Sequence, residues 1–436
     1  MTAPAEPRAG DPGDRHMLLG ANVYDFGTDA GAWRMPGTGP QDNLTARFWR
    51  HAADLAEQGG LDAIFLADMP GLAANPALRP NRMVEPLAAL GAVLARTERL
   101  GVIATVSTSS NDPAELTTRL ATQHVLSGGR TGWNVVTGVP AAIERDFGYR
   151  SSPGREDRYR RAEEFLEVHR RVMEALASGR RWSFSGQVFD YPEQDAPRLP
   201  ESFRAALAAT PPLIVQAGGS SQGRELAAAT AETVFAAEMV KEAAARNYAD
   251  LHERAARHGR PAPLVLPGIH MVLGSTQEEA ERRFERLTEL GPRDYVTRRF
   301  EHMLGIRLDQ LDPHGPAAPQ LERALDVPDG GSVGFARAIL SYAASREITL
   351  SALLRHFSGF GHQFYVGPPE PLADIMEDWF RGAACDGFNI LADANPSGLR
   401  LFVEQVVPVL RERGLAPAEP ADPAEPFAAR LRKARR

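Results

Sequence analysis

A single cysteine, Cys385, stands in 436 residues. It has no second thiol for an internal disulfide or a thiolate metal cage, so the chain reads as a protein of a reducing, cytoplasmic interior. Lysine is almost as scarce, with only Lys241 and Lys433 present. The pattern puts the first at a helix start and the second in the tail, so a Schiff-base aldolase or pyridoxal enzyme has no strand-borne amine. The eleven histidines include no pair at the i, i+4 spacing of a helical zinc site, and no set of ligands converges from several strands, so no metal is expected. No run approaches the roughly 20 apolar residues of a membrane span. The N-terminal MTAPAEPRAGDPGDRH is polar, without the apolar segment of a secretory signal.

Apolar residues make up 43% of the chain and charged residues 24%, a balance that buries a large core and excludes wholesale disorder. The 49 basic and 56 acidic side chains leave a net charge of −7. Without a broad basic face, neither nucleic acid nor an anionic membrane is an expected partner.

Short β-branched runs alternate with helical patterns along the chain. The strands are predicted at Met17–Val23, Ala63–Leu66, Leu100–Val106, Thr131–Val136, Leu213–Gln216, Val234–Ala236, Leu264–Leu273 and Gly387–Leu391. Helices are predicted over Asn43–Gln58, Pro86–Arg96, Pro113–Leu126, Arg158–Leu176, Gly223–Thr230, Ala243–His258, Thr276–Leu290 and Leu399–Arg413, with Asp112 as a cap ahead of Pro113. About eight repeats of this alternation predict an α/β fold, a (β/α)8 TIM barrel over residues 17–413, with an open doubly wound sheet as the alternative. Two stretches break the alternation, Ser178–Thr210 and Gly291–Ser345, and insertions of that length are lids, binding loops or plain surface excursions. Residues 1–16 are expected to be a flexible N-terminus, and residues 414–436, Pro- and Ala-rich with a basic end, a solvated tail.

In a barrel, chemistry belongs to the C-terminal ends of the strands. Those ends are Ala67-Asp68, Thr105 through Asn111, Trp133 through Gly138, and Gln216 through Ser221. They make a neutral mouth rich in hydroxyls, amides and backbone donors, with Asp68 as its one clear carboxylate. A glycosidase pair would need Asp393 to partner Asp68. His356 and His362 lie six apart in a Gly-rich loop and read as polar surface. Gly330-Gly331-Ser332-Val333-Gly334 fits the nucleophile-elbow pattern, but no strand precedes it. Gly218 to Gly223 has Walker-like spacing, but Arg224-Glu225 stands where Lys-Ser/Thr is required. The same turn still has the makings of an anion site, because glycines and serines lead straight into a helix N-terminus. An ordinary capped strand-to-helix turn is the other reading.

Ser127-Gly-Gly-Arg130-Thr-Gly132-Trp133-Asn134-Val-Val-Thr137 closely resembles the SGGRxGWNxVT segment of the bacterial luciferase-like flavin monooxygenases. The subgroup is that of the nitrilotriacetate, dibenzothiophene-sulfone and long-chain alkane monooxygenases. Phe65-Leu66-Ala67-Asp68, Thr105-Val-Ser107-Thr108, Arg158-Tyr159-Arg-Arg-Ala-Glu-Glu-Phe, the turn from Gln216 to Glu225, and Asp378-Trp379-Phe380 to Asp386-Gly387-Phe388-Asn389 resemble its other motifs in order. The resemblance implies reduced FMN (FMNH2) as cosubstrate with O2, delivered by a separate NAD(P)H:flavin reductase, and a flavin C4a-(hydro)peroxide that oxygenates a small organic substrate. It also implies a homodimer or homotetramer.

By the same resemblance Asp68 meets the isoalloxazine or holds the loop beneath it. Thr105 and Ser107 face the ring, and Asn134 its edge or the ribityl chain. Tyr159, Ser220 and the amides of Gly219 and Ser220 bind the phosphate. For Asp68 a helix cap in the loop to residue 80 is the alternative, for the strand-end residues satisfaction of neighbouring backbone, and for Tyr159 helix packing. Trp133 is read as a core wedge, and no catalytic residue is assigned. The chain departs from the family at Arg155, where histidine is usual and the guanidinium is expected to bind the phosphate in its place, at Gly138, where serine is usual, and across Asp195–Pro212, where the GPLN and RSxQGxP signatures are rewritten. The subgroup's substrates therefore do not transfer. A deazaflavin- or FMN-dependent oxidoreductase without oxygen insertion and a non-catalytic flavin-binding protein remain the rival readings.

Overall fold

The computed structural model describes residues 15–23, 25–68, 84–138, 154–292, 294–324, 333–357 and 361–434. Its strands are β1 Leu18–Asn22, β2 Ala63–Leu66, β3 Gly101–Ser107, β4 Thr131–Val136, β5 Trp182–Ser185, β6 Asp190–Gln194, β7 Leu213–Gln216, β8 Thr233–Ala236, β9 Leu264–Leu273, β10 Gln363–Gly367 and β11 Gly387–Ala392. Eight of them, in the order β1-β2-β3-β4-β7-β8-β9-β11, pair in parallel and close on themselves, β11 against β1. This is the expected (β/α)8 barrel, with all eight predicted strands in it.

Each barrel strand is sorted by alternation. Ile64, Leu66, Val102, Ala104, Val106, Trp133, Ile390 and Ala392 pack outward against the helices. Ala63, Phe65, Ile103, Leu213, Val215, Phe235, Leu264 and Leu266 fill the interior. With both faces covered, β2, β3, β8, β9 and β11 are buried at every residue. The helices are α1 Ala46–Gln58, α2 Pro86–Leu94, α3 Pro113–Leu126, α4 Arg155–Ser178, α5 Glu201–Ala209, α6 Ser221–Thr230, α7 Lys241–Arg257, α8 Gln277–Leu290, α9 Tyr295–Leu304, α10 Ala317–Ala324, α11 Val333–Arg346, α12 Leu350–His356, α13 Pro369–Arg381, α14 Ser397–Leu401, α15 Val407–Glu412 and α16 Phe427–Ala434. Asp112 caps α3 as its sequence suggests, accepting from Glu115 N at 2.9 Å.

The closing seam rests on Asp386-Gly387. Gly387 holds φ +156, and a Cβ there would lie 2.0 Å from the Leu18 carbonyl oxygen, so only glycine lets β11 approach β1. The Asp386 carboxylate takes a guanidinium N–H from Arg15 at 2.5 Å, the Tyr248 hydroxyl at 3.1 Å and Val265 N at 2.9 Å, while its carbonyl accepts Leu18 N at 3.0 Å. One residue thus joins β1, β9, α7 and β11.

The first insertion is the antiparallel hairpin β5–β6 with α5, packed on α3 and α4 through Phe184, Val172, Met173 and Leu207. The second is a cluster of helices α9–α12 with its own core of Phe300, Leu304, Leu321, Ile339, Leu353 and Phe357. It runs past the expected boundary at Ser345, since α12 belongs to the same core. Strand β10 was not legible in the sequence. It pairs with the distal half of β9, Gln363 opposite Ile269, where β8 has ended, and its half-exposed run carries no alternation.

The tail is not solvated. Helix α16 plugs the N-terminal end of the barrel with Phe427, Ala428 and Leu431, all buried in the interior cluster. Gly101 leaves room for the Phe427 ring, which would stand 2.4 Å from a Cβ at that position. Arg432 ties α16 to Glu232 at 2.6 Å. Pro/Ala-rich composition before the helix hid an amphipathic FAARLRKA segment that an open barrel end requires.

Two buried imidazoles back β4. His124 Nε2 lies 2.5 Å from the Thr210 carbonyl, and His169 Nδ1 lies 2.9 Å from the Thr117 hydroxyl. Burial pushes both down to about 4. In the unfolded chain they take up protons near pH 6.5, so the stability they contribute is full above that pH and is lost as pH falls toward 4. Histidine ring NMR is expected to show both neutral at pH 5.5 in the folded protein; titration near 6.5 contradicts this. Phe427→Ala is expected to cost about 3–5 kcal/mol in urea unfolding, against less than about 0.5 kcal/mol for the exposed Leu126→Ala.

Candidate active site

The mouth of the barrel brings most of the predicted residues together. On β3 and β4, Thr105, Ser107 and Asn134 are buried, and Asn134 Nδ2 donates to Thr105 Oγ1 at 2.9 Å. Asn134 Oδ1 is buried without a hydrogen-bond partner. Part of the expected satisfaction of backbone occurs at Ser107, whose hydroxyl accepts Ser109 N at 3.1 Å. The loop is stitched across by Ser109 Oγ to the Thr137 carbonyl at 2.7 Å, and clamped from α4 by Arg161, which donates to the carbonyls of Thr108 at 2.8 Å and Asn111 at 3.1 Å. Trp133 faces the other way, fully buried with its indole N–H on the Val106 carbonyl at 3.0 Å and its ring 5.2 Å from that of His169. It is a wedge behind the site.

The turn after β7 is built for close approach. Gly218 and Gly223 touch backbone to backbone, and a Cβ at Gly218 would lie 2.8 Å from Gly223 Cα. Ser220 caps α6, its hydroxyl accepting Gly223 N at 3.0 Å and meeting the Tyr159 hydroxyl at 2.9 Å. The second turn of α4 and the first of α6 therefore converge on a pair of hydroxyls and a helix N-terminus, a donor set suited to an anion. Arg155 is exposed at the first residue of α4, one turn before Tyr159. Arg224 is held by Asp250 at 2.7 Å.

Sequence alone did not foresee what lies over this turn. A Cβ on Gly219 would sit 2.5 Å from Gly334 Cα, at the start of α11. Arg337 on the same helix donates to the Gly219 carbonyl at 3.1 Å. The second insertion thus lies directly on the turn. Gly334 belongs to the elbow-like motif, whose first three residues are outside the described residues; it lies in the first turn of α11.

Asp68 follows β2 directly, half-buried, and the loop to residue 80 lies outside the described residues, as do residues 1–14. Asp393 is not available as its partner, since Arg283 engages it through two nitrogens, one at 3.1 Å. Burial raises the Asp393 carboxyl even so. His362 is not plain surface. Its ring stands where a Gly268 side chain would be, edge-on to Phe335 at 5.6 Å, and burial holds it at about 3. Beside it His270, on the inner face of β9, meets Asp29 at 3.0 Å. Two further carboxamides, Asn22 on β1 and Asn389 on β11, each have a buried Oδ1 with no partner. Their inward parity was readable from strand alternation, but their lack of partners was not. Glu238, after β8, is raised to about 7 by burial, partly offset by Arg224 and Arg246.

No group of three His, Cys, Asp or Glu among the described residues is placed to hold a metal ion, and no described helix is long and apolar enough to cross a membrane. Cys385 is buried, its thiol pushed up by burial.

Residues 28–381 match the luciferase-like monooxygenase family profile. The chain belongs to that family. Among its relatives are the N-acetyl-S-(2-succino)cysteine monooxygenase of Bacillus subtilis (strain 168) and the nitrilotriacetate monooxygenase component A of Aminobacter aminovorans, each 32% identical over 92% of this chain and 93% of the relative. A solved riboflavin lyase with modified FMN and riboflavin superposes with a TM-score of 0.76 at 25% identity, covering 96% of each chain. The luciferase-like monooxygenase read from the sequence motifs is thus confirmed as to family, subgroup and class of enzyme.

In this family member, Gly219→Ala is expected to push α11 off the turn. Hydrogen exchange should speed in α11 and stay unchanged in the barrel strands; equal protection in both proteins would contradict the contact.

Proposed function

We propose that the protein oxygenates a small organic molecule with O2, using reduced FMN supplied by a separate NAD(P)H:flavin reductase. The observation that carries this is the Tyr159–Ser220 hydroxyl pair over the Gly218–Gly223 cradle, beside a neutral, donor-rich mouth. The residues present fit the group. Tyr159, Ser220 and the amides of Gly219 and Ser220 would hold the phosphate, with Arg155 near it. The orphaned Asn134 Oδ1, with Thr105, Ser107 and Asp68, would serve the ring and its chain. Reduced flavin, when bound, supplies the electrons that activate O2.

The chain's own part is to bind, orient and keep water out. Thr105 fixes the Asn134 amide so that its oxygen points inward. Arg161 and the Ser107–Ser109 stitching hold the β3 wall rigid. The α9–α12 cluster, seated on Gly219, shields the mouth from water. Assembly as a homodimer or homotetramer is part of the same proposal.

Titration with FMN and with riboflavin, which lacks the phosphate, tests the assignment. Tyr159→Phe and Ser220→Ala are each expected to weaken FMN by about tenfold and to leave riboflavin within about twofold. Equal loss of both ligands would remove the phosphate reading. Oxygen uptake on adding photoreduced FMN with the protein, referenced to FMN alone, separates oxygenation from the oxygen-independent alternative.

A further inference from the structure

Asn22 and Asn389 have no role in the flavin assignment, yet both face the barrel axis. Their neighbours Ala21, Val23, Phe388, Ile390 and Ala392 pack outward, so alternation turns the two carboxamides inward. They stand on adjacent strands, with Gly20 opposite Asn389 in register and Asn22 two residues further along β1. On its other side Asn389 is level with Gly268. Both flanking strands carry glycine at the level of Asn389, and on the Gly268 side the His362 ring fills the place a side chain would take.

Asn389 is 4% exposed, and neither carboxamide oxygen accepts a hydrogen bond. A buried carbonyl oxygen without a donor destabilises the protein that carries it, and an apolar residue of the same size would not. In the ring of eight, β1 and β11 lie diametrically across from β4 and β7, the strands bearing Asn134 and the phosphate turn. The acidic groups nearest this side are committed, Asp29 to His270, Asp393 to Arg283 and Asp25 to Phe26 N. The wall therefore presents carboxamides beside the His362 ring, with the rim carboxylates already paired.

We propose that Asn22 and Asn389 form the substrate-recognition subsite, and that it takes an uncharged group with both donor and acceptor, an amide or lactam, in place of a polycarboxylate or a hydrocarbon. This rests on the flavin occupying the β4–β7 side, as proposed above. A lactam donates its one N–H to one of the orphaned oxygens and accepts at its C=O from the amide N–H of a carboxamide, and a primary amide, with two N–H donors, has one for each oxygen. A polyanion would meet carboxamide oxygens that cannot donate to it and rim groups already paired with each other, and a hydrocarbon would leave both oxygens unpaired.

The test uses the full-length protein with saturating FMN and three probes followed by ligand-observed NMR: 2-pyrrolidone, cyclopentane and nitrilotriacetate. The lactam is expected to bind in preference to the other two. Asn22→Leu and Asn389→Leu should each weaken it by about tenfold, leave FMN affinity unchanged, and raise the thermal midpoint of the ligand-free protein. Should a leucine variant fail to fold, Asn22→Ala and Asn389→Ala carry the binding test. The proposal is overturned if the lactam does not bind, if its affinity survives both substitutions, or if nitrilotriacetate or cyclopentane binds better. It is also overturned if FMN affinity falls with the lactam's, which would give the pair to the flavin. Failure of the wild-type protein to bind FMN at all would strike the parent reading, and is seen before any probe is added.

Discussion

The barrel exists because β11 can lie against β1, and that contact is a matter of one missing Cβ and one carboxylate. Gly387 lets the backbones meet, and Asp386 binds groups from three other elements at once. Every inward position above the seam inherits its angle from this junction, Asn389 and Asn22 first among them. Around the rest of the ring, hydrophobic alternation sets which residues face the axis. At the seam, geometry sets how far into the mouth they reach. The DGFN run that resembles its family's closing motif is therefore structural in its first two residues and inward-facing in its last.

Much of this was readable before any coordinates. The eight barrel strands were legible because each is a short apolar run bounded by turn chemistry, and the tight turn from Gly218 into α6 because its glycines and serines run straight into a helical pattern. Tyr159 and Ser220 were named from separate motifs and meet at 2.9 Å. What stayed hidden has common physical causes. Strand β10 is half-exposed and lacks alternation, so it looks like loop. Helix α16 follows a Pro-rich stretch that masks its apolar face. The Gly219–Gly334 contact joins residues 115 positions apart, and nothing local announces it. His362 was misread because a histidine among glycines is ambiguous until the partner strand shows Gly268 making room for its ring.

The division of labour at the mouth follows from what the chain does not offer there. Its thiol is buried and its lysines are elsewhere, the carboxylates Asp29 and Asp393 are paired, and Asp68 and the buried Glu238 are the carboxyls that follow β2 and β8. Fixed dipoles remain, held by Arg161 and by cross-strand hydroxyl bonds. Such a surface suits the proposed role of positioning a reactive group that arrives from outside.

The roof over this surface is joined to it in an unusual way. Where Gly219 meets Gly334 two backbones touch with no side chain between them, so there is no rotamer to absorb a mismatch. The α9–α12 cluster is therefore not an exchangeable cassette. Any replacement of a different length or packing must return a glycine to the same point, and a change in the roof's tilt is passed undamped to the turn beneath it. Diversification of the pocket in this scaffold is thus channelled away from that pivot and toward the walls.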